Sequence, residues 1–231
     1  MSQTAFQLAS SPSSFSVEHA VRLVPPVDSG SANEPAPAPV FTATGAAVAS
    51  LCAALDAAFD VCPDCDDPSR HADFARRVRA ALAEAAATPD LLTPAQREGA
   101  PTTYRRHLLA ADPQGRYAIA ALVWMPGHAS PVHAHHTWCG YAVLDGTLTE
   151  SVYQWNDAEG CASETRQHPR AAGAVSFTRA GHAGIHRLLN TSGAPAVSIH
   201  LYGVAGEHIS THVNDLVNVV AAPADATLAA A

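Results

Sequence analysis

A chain of 231 residues suits one hydrophobic core, and two full domains would be cramped in it. A formal net charge of −8 excludes a non-specific nucleic-acid binder, because neutralising phosphates takes a basic surface. Residues 1–14 lack a basic region followed by an apolar core, and no apolar run nears the roughly 20 residues that span a bilayer, so no membrane association and a cytoplasmic location are expected. The five cysteines, odd in number and irregularly spaced, read as thiols rather than as a disulfide framework.

Residues 1–42 form an arm rich in Pro, Ser and Ala, a composition that favours extended chain over packed structure, and one domain is expected over 43–231. Val48, Leu51, Leu55, Ala58 and Phe59 recur at helical spacing after Thr44, which is placed as an N-cap. Cys62-Pro63-Asp64-Cys65 follows; its spacing is that of half a zinc knuckle or a redox pair, but with Asp66 and Asp67 beside it and no second Cys or His pair nearby it reads as a solvated loop. A second helix is predicted over Ser69–Ala87, with Phe74, Val78, Ala81, Leu82 and Ala85 on one side and Pro89 marking its end. Thr93-Pro94 can start a short third, so 43–100 is the helical part.

Beyond Thr102 the texture changes to short runs rich in Val, Ile, Tyr and Trp, broken by Pro126-Gly127, Asp145-Gly146, Ala180-Gly181 and Ser192-Gly193. Asp145-Gly146, between Tyr141–Leu144 and Leu148–Tyr153, predicts a hairpin. The expectation is a mainly β fold, a small barrel or sandwich over 101–220 with the N-terminal helices packed outside it.

His133 and His135 fall on one apparent strand, Ser130–Thr137, where residues two apart project to the same face and can share one metal ion; His136 then faces away. His168, His182, His208 and His212 read as structural or surface residues. Gly127, five intervening residues, His133-x-His135 and then Gly146 resembles the first signature of cupin barrels, and Gly173, Gly181 and His186-x-x-x-Asn190 resembles the second. The resemblance implies a jelly-roll-like cupin barrel with His186 facing the first pair. Cupins usually add a carboxylate ligand a few positions after the histidine pair, yet His136-Thr137-Trp138-Cys139-Gly140 contains no acid. Three neutral imidazoles leave a divalent metal its full charge and open positions, which suits a thiolate.

That gap, with Ser198-Ile199-His200-Leu201-Tyr202 and Tyr104-Arg105-Arg106, is similar to the cysteine dioxygenases and related bacterial thiol dioxygenases. The likeness covers roughly residues 100–205. It implies a ferrous ion, Fe(2+), on His133, His135 and His186, and catalytic roles for Ser198, His200 and Tyr202 as a hydrogen-bonded relay. It also implies a substrate-binding Tyr104 and Arg106, the guanidinium taking a carboxylate in bidentate fashion while Arg105 points the other way. In some members a cysteine is joined to the triad tyrosine by a thioether; counting from either side leaves Cys139 and Gly140 both open for that place, with Cys139 the candidate for a bond to Tyr202. The implied reaction is insertion of both atoms of O2 into the sulfur of a small thiol, as in sulfur amino-acid metabolism. L-cysteine is favoured over 3-mercaptopropionate, whose dioxygenases generally place glutamine at the Arg106 position and an arginine beyond the tyrosine, where Gly203–Val213 has none. The alternatives from other classes are a non-catalytic metal- or ligand-binding cupin sensor and a zinc or manganese isomerase, and the expected assembly is a monomer or small homo-oligomer.

Overall fold

The computed structural model describes residues 43–220, so the arm 1–42 lies outside the described residues. Helix α1 (Ala43–Phe59) leads through a loop with a 3-10 turn, Pro68–Arg70, to helix α2 (Ala72–Ala86). On α2 the buried residues are Phe74, Ala75, Val78, Ala81, Leu82 and Ala85, the three- and four-residue spacing that makes one apolar stripe. Two boundaries differ from expectation. Helix α1 already includes Ala43, which puts Thr44 inside its first turn rather than at its cap. The stretch from Ser69 is broken because the Asp67 carboxylate accepts the Ser69 N–H at 3.0 Å and closes the 3-10 turn, so α2 begins only at Ala72. Thr93-Pro94 is followed by a single 3-10 turn, Ala95–Arg97.

Among the described residues ten strands follow: β1 (Arg105–Ala111), β2 (Ala118–Trp124), β3 (His133–His135), β4 (Cys139–Asp145), β5 (Thr147–Asn156), β6 (Cys161–Ala171), β7 (Val175–Thr178), β8 (Gly181–Leu189), β9 (Ala196–Tyr202) and β10 (Asn214–Leu216). They make two five-stranded sheets in the orders β1-β2-β9-β4-β7 and β10-β3-β8-β5-β6, with antiparallel pairing throughout. The mainly β fold of two packed sheets with the helices outside is therefore as expected.

Every residue of β2 and β9 is buried, and alternation explains why. Ile119, Ala121, Val123, Val197, Ile199 and Leu201 face outward into a core shared with Leu55, Phe74, Val78 and Leu82 of the helices. Ala118, Ala120, Leu122, Trp124, Ala196 and Tyr202 face inward with Cys139, Tyr141 and Val143 of β4. The first sheet is thus sandwiched between helices and barrel interior, and each fully buried Phe or Leu at that outer layer contributes roughly 1.5–3 kcal/mol.

The predicted hairpin at Asp145-Gly146 is not formed. β4 pairs with β7 and β9, whereas β5 pairs with β6 and β8, so this corner carries the chain from one sheet to the other. Gly146 takes φ 74° there. The predicted strand Ser130–Thr137 shrinks to His133–His135; Ser130 is instead pinned to Leu188, its N–H donating to the Leu188 carbonyl at 2.9 Å and its Oγ accepting the Leu188 N–H at 3.1 Å.

Candidate metal centre

The short strand β3 is held between β10 and β8, with His133 directly opposite His186. Alternation turns His133 and His135 to one side, and the pairing brings His186 to meet them. Ring centroids are 5.0 Å apart for His133–His135, 4.8 Å for His133–His186 and 5.1 Å for His135–His186. Their donor nitrogens all lie within 4.8 Å of one another, and no other group of three or more His, Cys, Asp or Glu donors comes together in this way among the described residues. His136 is exposed and lies apart from them.

His133 and His135 are suited to act as neutral ligands. Burial, and then the nearby His186, push His133 down to about 3 and His135 down to about 2, so both carry lone pairs at any ordinary pH. Tethers also select the nitrogens. His133 Nδ1 lies 3.0 Å from the Pro131 carbonyl and His186 Nδ1 2.7 Å from Glu150 Oε1, contacts that place the ring proton on Nδ1 and leave Nε2 as the donor. His135 Nδ1 is buried without a hydrogen-bond partner among the described residues. This donor set fits a divalent transition metal.

Glu150 is the residue that the sequence reading missed. It is 6% exposed, and beyond His186 it meets His168 Nε2 at 3.2 Å and Arg170 Nε at 3.5 Å. Burial alone would raise its pKa, but the hydrogen bond from His186 and the charge of Arg170 outweigh that and hold the carboxyl below its usual range. His168, read from sequence as structural or superficial, is thus part of this network. A signal existed in the strand: an acid at 150 shares the inward parity of Leu148, where a glutamate needs a reason.

On the opposite sheet, Ser198, His200 and Tyr202 project to the interior face of β9, and His200 and Tyr202 line the same pocket as the three imidazoles. Ser198 Oγ lies 2.9 Å from His200 Nε2 and accepts the Trp124 Nε1–H at 2.9 Å, which leaves the hydroxyl proton for His200. The His200 ring stacks between Tyr141 (5.4 Å) and Tyr202 (5.9 Å). Its contact with Tyr202 is therefore face to face rather than along a hydrogen-bonded line. Burial depresses His200 far below the usual imidazole value and raises the Tyr202 phenol, the latter in spite of the Arg106 charge beside it.

Arg106 also lines the pocket, with its guanidinium carbon 5.8 Å from the Tyr202 ring centre and Nη1 donating to the Ile209 carbonyl at 2.9 Å. Arg105 turns away toward Glu98, 3.9 Å distant. Tyr104 lines the pocket and packs on Trp124, ring centres 4.4 Å apart. Cys139 is buried in the pocket wall directly across from Tyr202 in the β4–β9 register, whereas Gly140 faces Leu82 and Phe177 on the helix side. Of the two residues that counting left open, Cys139 is the one on the pocket side.

Residues 100–212 match the family model described as Cysteine dioxygenase type I. Among solved structures, the chain is similar to the TT1209 protein of Thermus thermophilus, at 20% identity over 49% of this chain and 96% of that one, TM-score 0.39. It is likewise similar to a cupin 2 conserved barrel domain protein from Salinispora arenicola, at 17% identity over 46% and 80% of the two chains, TM-score 0.34. A conserved protein with a double-stranded beta-helix domain from Klebsiella pneumoniae matches at 14% identity over 48% and 86%, TM-score 0.37.

Proposed function

We propose, on the premise that residues 100–212 belong to the cysteine dioxygenase type I family, that this protein is an iron(II) thiol dioxygenase whose substrate is L-cysteine and whose product is cysteine sulfinic acid. The observation that carries the reading is the convergence of the His133, His135 and His186 imidazoles in one pocket whose wall also holds Arg106 and Tyr202. His133, His135 and His186 would hold the iron, which when bound would supply the redox chemistry for joining both atoms of O2 to sulfur.

The chain's own residues do the rest. Arg106 receives the substrate carboxylate and so fixes a small amino acid in one orientation, turning an encounter into a neighbour reaction. Ser198 holds the His200 ring, and His200 stacks on Tyr202 and keeps its phenol aimed at the substrate's side of the pocket. Tyr202 stays protonated because it is buried, which makes it a hydrogen-bond donor rather than an anion. The Tyr104–Trp124 pair forms one part of the pocket wall. Cys139, opposite Tyr202, is the partner for a thioether to that ring.

Oxygen uptake by the iron-loaded protein across a panel of small thiols tests the proposal, with each product identified by mass. L-cysteine should give the highest kcat/KM, ahead of 3-mercaptopropionate. No uptake with any thiol would return the chain to the metal- or ligand-binding sensor class. Losing a charge-assisted pair worth about 1.5–3 kcal/mol, Arg106→Gln should lower kcat/KM for cysteine by roughly 10- to 150-fold. Unchanged cysteine turnover in that variant would remove the carboxylate role.

A further inference from the structure

The loop between α1 and α2 carries two thiols that the metal centre does not use. In Cys62-Pro63-Asp64-Cys65 the Cys65 N–H donates to the Cys62 carbonyl at 3.2 Å, the closure of a four-residue turn. Such a turn brings its first and fourth Cα atoms within about 7 Å, the separation that a disulfide spans. Pro63 at the second position stiffens it. Both thiols are unbridged.

The two sulfurs stand in unlike surroundings. Cys62 is only 7% exposed and packs in the helix–barrel core with Leu55 and Phe74, so the loop is not solvated throughout as its acidic sequence implied. Cys65 is exposed. Both line a cavity of about 600 Å³ between the loop and the barrel, bounded also by Phe59, Arg116, His136 and Trp138, a size that admits a small molecule. The zinc alternative lacks further ligands, since among the described residues no donor group other than the three histidines forms.

We propose that Cys62 and Cys65 are a redox-active dithiol that closes to a disulfide within the loop by exchange with a low-molecular-weight disulfide. Cys65, the accessible sulfur, attacks as thiolate and expels one small thiol, leaving a mixed disulfide. Cys62 then loses its proton and attacks the Cys65 sulfur, expelling the second small thiol. The protein gives up two electrons and two protons, and the small disulfide is reduced to two thiols. Burial, and then the neighbouring Cys65, keep Cys62 protonated, which makes the second step the slow one.

The test uses the full-length protein, reduced, freed of reductant and incubated with glutathione disulfide. The expected result is an intact mass lighter by two hydrogens, without a retained glutathione. Cleavage before aspartate puts Cys52, Cys62 and Cys65 on three separate peptides, and the linked pair should be 60–63 with 64–65. Cys62→Ser should stop at one glutathione on Cys65, and Cys65→Ser should suppress both products. Closure should speed up about tenfold per pH unit between pH 7 and 9, as the thiolate fraction does. An unchanged mass, a bond that includes Cys52, or a glutathione adduct that persists on the wild-type protein would overturn the proposal.

Discussion

Three imidazoles make a ligand set only if each ring is held with its lone pair inward, and Glu150 is what holds one of them. Its Oε1 sits 2.7 Å from His186 Nδ1, fixing both the tautomer and the tilt of the ring. Glu150→Gln keeps the shape but exchanges an anionic acceptor for a neutral one, so metal affinity should fall by about 10- to 100-fold. Equilibration against a chelator-buffered metal series reads this directly, and a lowered melting temperature of the metal-free protein with unchanged affinity would show that the carboxylate serves only packing. Of the three histidines, strand alternation paired His133 with His135, and the resemblance to the second cupin signature added His186. Glu150 was not legible in the sequence, because it lies 36 residues from His186 and meets it only through the β5–β8 pairing, which no local pattern encodes. The stacking of His200 between two tyrosines was hidden for the same reason: strand parity says which face His200 takes, but Tyr141 comes to it from β4.

At the scale of elements, the helices were readable from their apolar spacing, and the strands from their texture and turns. What failed was the partner of β4. A dipeptide such as Asp145-Gly146 reports that the chain reverses or bends, and it cannot report whether the next strand rejoins the same sheet. Here the corner passes under Pro195 and Ala196: a Cβ on Gly146 would lie 2.9 Å from the Pro195 carbonyl oxygen and 3.0 Å from Ala196. Gly127 has a similar φ, 84°, but nothing within 4 Å of its notional Cβ. Gly127→Ala should therefore show only the left-handed backbone cost of roughly 1–2 kcal/mol, and Gly146→Ala that cost plus the displacement of β9's leading residues. Urea denaturation of the two variants separates the terms. Equal losses would mean that the corner relaxes freely and the contact with β9 is not a constraint.

Across the whole molecule, the helices close the outer face of the sheet that carries His200 and Tyr202, and one ion cluster ties them to it. Arg116, in the β1–β2 turn, donates from Nε to Asp112 at 2.7 Å and bonds Asp56 on α1, while its guanidinium carbon lies 4.7 Å from the Phe59 ring centre. Asp112 is 7% exposed and also accepts the Arg116 backbone N–H at 3.0 Å. Burial opposes its ionisation, but the Arg116 hydrogen bonds prevail and hold its pKa below the usual carboxylate value. A carboxyl with a folded-state pKa below its unfolded one stabilises the fold at pH values above the unfolded pKa, and that contribution disappears as pH falls through the folded pKa. Asp112→Asn, which cannot ionise, should cost about 1–3 kcal/mol at pH 7. The gap to wild type should stay constant down to about pH 5, then narrow as the wild-type carboxylate is protonated, the two curves converging below the usual Asp pKa of about 3.9. Denaturant titrations of both proteins from pH 7 to pH 3 measure it. A gap independent of pH would mean that Asp112 acts through its shape and backbone hydrogen bonds, with its charge contributing nothing to the tie between helices and barrel.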